Sequence, residues 1–158
     1  MMVHWEKELG NKKSGHLTKM VYLRISSAEM VQDLKVFGVV PCKSESGRVP
    51  RWINKHCYAD FFFRGLFDGD GCVGVRRGSY RAGRTYITFG GNTRIVNSFR
   101  SWVERKTGYR GGLSIRKNGF RVINYSYGAV PRVGVCLYGD ERGIRLIRKA
   151  SMCGVKGI

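Results

Sequence analysis

From residue 59 onward the apolar residues alternate between helical and strand spacing in one order, α-β-β-α-β-β-α, and this order most limits what the chain can fold into. The spacing predicts an aromatic-rich helix over 59–69 and two strands within 72–89, joined by the glycine-containing link 77–83. Asn92 or Thr93 caps the next helix, whose apolar stripe is Ile95, Val96, Phe99, Trp102 and Val103. Lys106-Thr107-Gly108 closes it. Two further strands near 112–116 and 120–127 are joined by Lys117-Asn118-Gly119, and Asn-Gly is a strong hairpin signal. A helical region over 130–150, broken near Gly139, completes the series. Hairpins alternating with helices define an α+β fold with the helices on one face of an antiparallel sheet.

Residues 1–58 read as a shorter, separate unit and linker. Met20 to Ile25 alternates weakly, as a strand does. Ser26 followed three residues later by Glu29 is a capping box. Met30, Val31, Leu34 and Phe37 then lie on one helical face, and Gly38 supplies the stop. A loop over 39–51 with two prolines follows.

Charge narrows the function classes. The chain has 29 Lys+Arg against 11 Asp+Glu, a formal net charge of +18. Residues 59–158 hold 19 of the bases and 6 of the acids, net +13. Such self-repulsion opposes a compact state unless a polyanion offsets it, which points first to nucleic acid and second to an acidic membrane surface. The stretches 72–90 and 109–127 contain no acid at all. Arg76, Arg77, Arg81 and Arg84 lie on or beside the first hairpin, with Tyr86 and Thr88 on the same side as Arg84. Arg110, Arg116, Lys117 and Arg121 lie on the second. A twisted ribbon of such strands fits the major groove of double-stranded DNA, where arginine reads guanine and phosphate. No apolar run of 18 residues predicts a membrane span, and the first ten residues lack the apolar stretch of a signal peptide. Cys42, Cys57, Cys72, Cys136 and Cys153 form no C-x-x-C pair and read as reduced thiols of a cytoplasmic protein.

Acids are scarce, yet Asp68 and Asp70 stand two residues apart in Asp-Gly-Asp-Gly. A carboxylate facing a polyanion is repelled unless a cation lies between them. Mg²⁺ accepts one or two carboxylates together with water and phosphate oxygen. A cation held by Asp70 at a helix C-terminus, beside free carbonyl oxygens, is placed to activate a phosphodiester. Gly65 and Gly69 share one helix face, where small residues let a second backbone come close.

The string Phe63-Arg64-Gly65-Leu66-Phe67-Asp68-Gly69-Asp70-Gly71 resembles the motif of the LAGLIDADG homing endonucleases. Gly65, Leu66, Asp68, Asp70 and Gly71 match it outright, Phe67 is a conservative match and Gly69 a common variant; Phe63 and Arg64 depart from it. Gly38 to Lys43 resembles the close of one family repeat. Residues 59–158 resemble a full repeat ending in Leu137–Asp140 and Leu146–Lys149, so the likeness covers nearly the whole chain. The resemblance implies a saddle-shaped αββαββα fold and a site-specific, metal-dependent DNA endonuclease associated with an intron or intein. It implies Asp70 as ligand of Mg²⁺ or another divalent cation. Lys43 and Lys149 match the family's basic residue near the active site, and Asn92 or Thr93 its polar, water-contacting residue. Motif helices form the family's interface, which assigns Phe62, Gly65, Leu66 and Gly69 to it. This chain shows one motif where the family's active unit has two. The resemblance therefore implies a homodimer, a second motif-bearing chain, or a truncated relic, in cytoplasm, nucleoid, organelle or phage context. The competing expectations are a maturase-like DNA- or RNA-binding protein without activity, and a ribosome-type basic protein with no use for Asp68 or Asp70.

Overall fold

The computed structural model describes residues 2–9, 19–36, 39, 47–78, 80–116 and 119–155. Of the residues singled out above, Phe37, Gly38, Cys42, Lys43, Lys117 and Asn118 lie outside them. The chain divides into two compact units, Met1–Val40 and Pro41–Ile158.

In the first unit, strands β1 (Met2–Leu9) and β2 (Lys19–Ser26) pair antiparallel, in the register Met2 with Ser26 to Leu9 with Lys19. The expected strand and helix are present, and β1 adds a partner that the sequence reading had not drawn. Helix α1 (Ala28–Val36) follows. Its cap sits one residue later than the Ser26–Glu29 reading: the Ser27 hydroxyl accepts from the Met30 N–H at 3.1 Å. No residue of α1 is buried, and Val31, Leu34 and Val36 are exposed.

The second unit opens with a 3-10 turn, Arg51–Lys55, followed by helix α2 (Ala59–Asp70). Val49 and Ile53 are buried in this unit's core, so 47–58, which the sequence reading joined to the first unit, packs here. Two isolated apolar residues carry no periodicity, which is why this allegiance does not show in the sequence. Strands β3 (Gly71–Val75) and β4 (Thr85–Gly91), helix α3 (Thr93–Thr107), strands β5 (Gly112–Ile115) and β6 (Arg121–Tyr125), and helices α4 (Val130–Tyr138) and α5 (Ile147–Met152) complete it. This is the α-β-β-α-β-β-α order of the sequence reading, and the unit is an α+β structure. All four strands are antiparallel, in the order β3-β4-β6-β5.

One face of the sheet is apolar because side chains alternate along each strand. Val73, Ile87, Phe89, Ile123 and Tyr125 are buried under the helices. Aromatic rings hold the layers together: Phe63 stacks on Trp102 at 4.8 Å between centroids, and Phe89 meets Phe99 at 4.2 Å. Such pairs add about 0.5–1.5 kcal/mol each beyond the area they bury. Helix α3 is set by its ends. Asn92 accepts from the Ile95 N–H at 3.0 Å, and Gly108 takes the left-handed conformation at φ 76° that stops the helix. At the far end of the chain Gly134 lets α5 lie against α4; a Cβ there would stand 2.5 Å from that of Cys153. Among the described residues no helix is long and apolar enough to cross a membrane.

Candidate nucleic-acid interface

The uncovered face of the sheet carries Cys72 and Gly74, Tyr86, Thr88 and Gly90, Val122 and Asn124, and Gly112 and Ser114, set side by side by the strand registers. Tyr86 lies across Gly74, where a Cβ would stand 2.5 Å from the phenol oxygen. The Arg76 guanidinium covers the Tyr86 ring at 5.3 Å. The Arg76 N–H donates to the Arg84 carbonyl at 3.0 Å and carries the ladder past the strand ends. Arg77 and Arg81 are exposed in the connecting turn, Arg81 lying 5.0 Å over the Tyr80 ring. Arg116 is exposed at the second hairpin, its N–H bonded to the Phe120 carbonyl at 2.8 Å.

Two arginines depart from the expected placement. Arg121 pairs with Gly91 and Ile115 and so shares the helix-covered side with Ile123 and Tyr125. Its Nε is buried and has no hydrogen-bond partner among the described residues. Val122 and Ile123 are both apolar, so the sequence alone does not fix which parity of this strand faces the core. Arg110 precedes β5 instead of lying on it; it is exposed, 3.8 Å from Glu104, and its carbonyl accepts from the Arg100 Nε.

The two motif carboxylates have separate situations. Asp68 is engaged: it accepts from the Tyr138 hydroxyl at 2.6 Å and from the Leu146 N–H at 3.1 Å. Burial, and after it this carboxylate, push the Tyr138 phenol well above its ordinary range. Asp70, the last residue of α2, is exposed and has neither a hydrogen bond nor an ion pair among the described residues.

Lys149 lies beside it, but it is buried and fully committed. Its ammonium donates to the carbonyls of Phe67 at 2.8 Å, Asp68 at 2.8 Å and Gly71 at 2.6 Å. Lysine has three N–H donors, and each has a partner here. The cation also complements the negative end of the α2 dipole. Burial pulls the lysine below its ordinary range, and the Asp68 charge opposes that. These carbonyls, expected to help a metal ion, belong to Lys149. Asn92 is likewise occupied, capping α3 and donating to the Gly47 carbonyl at 2.8 Å.

Sequence reasoning missed Arg64, 1 % exposed in the middle of the motif. It donates from Nε to Leu137 at 2.7 Å, from Nη1 to Arg142 at 2.8 Å and from Nη2 to Asp140 at 2.7 Å, all to carbonyls. Helix α2 thus seals the end of α4 while α5 seals the end of α2. The available signal was a guanidinium among Phe63 and Phe67, where only a fully paired one survives burial.

Phe62 and Leu66 are half-buried against the core, whereas Gly65 and Gly69 are exposed. A Cβ on either glycine would meet nothing within 4 Å. Beside Gly65 runs an apolar groove of about 850 Å³, walled by Tyr58, Phe61, Phe62, Ile144 and Leu146. With only open space above them, Gly65→Ala and Gly69→Ala should each raise the stability of the dilute chain by about 0.5–1 kcal/mol, read from urea midpoints. A lowered midpoint that worsens with protein concentration would mean that a second backbone packs on the glycines.

Comparison with protein-family models, with curated proteins and with solved structures found no match.

Proposed function

We propose that this chain acts as a site-specific DNA endonuclease of the LAGLIDADG homing type. Double-stranded DNA lies on the uncovered sheet face, and Asp70 holds Mg²⁺ or another divalent cation against the phosphodiester. The observation that carries this reading is Asp70 itself. It is an exposed carboxylate with no hydrogen-bond or ion-pair partner among the described residues, beside the first strand of the basic face, in a unit of 23 bases and 7 acids, net +16.

The donor set fits Mg²⁺, which needs few protein ligands when phosphate oxygens and water complete its shell. One carboxylate comes from this chain. When bound, the cation supplies Lewis-acid activation of the phosphodiester and of the attacking water. The chain's own residues bind and orient. Arg76, Arg77, Arg81, Arg84 and Arg116 grip phosphates, and Lys149 fixes the end of α2 that carries Asp70. A second carboxylate comes from a second motif helix, in a homodimer or another chain, packed on the Gly65–Gly69 face. This reading goes with a cytoplasmic, nucleoid or organellar setting.

One observation favours a binding-only reading: Lys149 already occupies the carbonyls beside Asp70. Both readings are tested by selecting duplexes from a random library and incubating them with Mg²⁺ and either the unaltered protein or Asp70→Asn. The nuclease reading expects cleavage that the variant slows by roughly 10²-fold or more at equal binding. Binding without cleavage by both proteins would leave a maturase-like or relic binding protein.

A further inference from the structure

Charge and neutrality are segregated on the uncovered sheet face. β4 runs from Thr85, beside the 76–84 turn, to Gly91. Its antiparallel neighbour β6 brings the 116–120 turn to the Gly91 end, because Gly91 pairs with Arg121. Arg76, Arg77, Arg81 and Arg84 therefore crowd one end, and Arg116 stands at the other. Between them the row Cys72, Thr88, Asn124, Gly112 crosses all four strands without a charge. A strand as long as β4 spans roughly 20 Å. The B-DNA major groove is about 12 Å wide. A duplex seated here meets arginine along both phosphate walls and meets the neutral row with its base edges.

Within that row one side chain is equipped to read a base. Asn124 is exposed, and its amide makes no hydrogen bond to the described residues. Its neighbour on β5 is Gly112, which has no side chain to crowd it. Asn124, Gly111, Gly112, Arg76 and Ser126 border a cavity of about 370 Å³, together with Tyr109, Tyr125 and Ala129. Thr88 is half-buried, and a thiol such as Cys72 is a weak hydrogen bonder. A carboxamide offers an acceptor and a donor side by side, the complement of the adenine N6 donor and N7 acceptor.

We propose that Asn124 is a specificity-determining residue that contacts an adenine in the major groove. The proposal rests on the duplex-binding reading given above.

The test is sequence selection from a randomised duplex library by the full chain and by Asn124→Ala and Asn124→Asp. Asn124 is exposed, so the variants keep the fold. The unaltered protein is expected to select adenine at one position, with a preference of roughly 5- to 150-fold over other bases. Asn124→Ala should lose that preference and keep the rest of the site. Asn124→Asp should move it to cytosine, whose N4 amine donates to a carboxylate. An unchanged adenine in both variants, or a uniform loss at every position, would overturn the assignment of Asn124 and leave duplex binding standing. No enrichment by the unaltered protein would overturn both.

Discussion

Raising the salt concentration from about 50 to 200 mM is expected to weaken duplex DNA binding by roughly 10³- to 10⁵-fold. Six arginines assigned to this role, Arg76, Arg77, Arg81, Arg84, Arg110 and Arg116, are exposed. Arg110 stands 3.8 Å from Glu104, and between exposed side chains that pairing is weak. Each phosphate neutralised releases condensed counter-ions, so ~6–10 contacts give a slope of log K against log salt near −5 to −9. Fluorescence anisotropy of a labelled duplex measures it. Arg84→Ala should make the slope shallower by about one. Arg121→Ala should not, since that side chain lies on the helix-covered side of the sheet. A response that stays flat with salt would remove the sheet face as a DNA surface.

Arg64→Met is expected to destabilise the second unit by about 3–5 kcal/mol, measured by urea denaturation. The guanidinium satisfies the carbonyls of Leu137, Asp140 and Arg142, spread over the end of α4 and the loop after it. Methionine fills much of the volume but leaves those oxygens without their donor, and hydrogen bonds to a charged group are the strong kind. Domains have only about 5–15 kcal/mol in total, so most of the margin goes. Arg64→Lys should recover only part of the loss, because a single ammonium cannot span acceptors that a planar fork reaches in several directions. A change under about 1 kcal/mol for Arg64→Met would show that water or a shifted loop replaces the guanidinium.

The contrast between these residues shows what the sequence reveals. Elements with strong local signals stand where expected. Helix α2 runs over Ala59–Asp70 against an expected 59–69, Asn92 caps α3, and Gly108 ends it. The two hairpins and the buried stripe Val96, Phe99, Trp102 and Val103 follow from the same local rules. Relations across long separations did not show. Nothing local announces that Arg64 meets residues more than seventy positions away, that Lys149 is a cap, or that Val49 and Ile53 belong to the later unit. For the site, Asp70 is exposed and Gly65 and Gly69 have open space above them. The nearby carbonyls are not available, because their donor comes from another helix.

That donor sets a timetable for synthesis. The ammonium on the Phe67, Asp68 and Gly71 oxygens is encoded 78 to 82 positions downstream of them. At ribosomal rates of 5–20 residues per second, roughly 4–16 s pass between making those oxygens and making their counter-charge. Over that interval the Asp70 end of the helix has only water to satisfy it, and the nascent chain cannot fix the geometry of that carboxylate until nearly all of the unit has emerged.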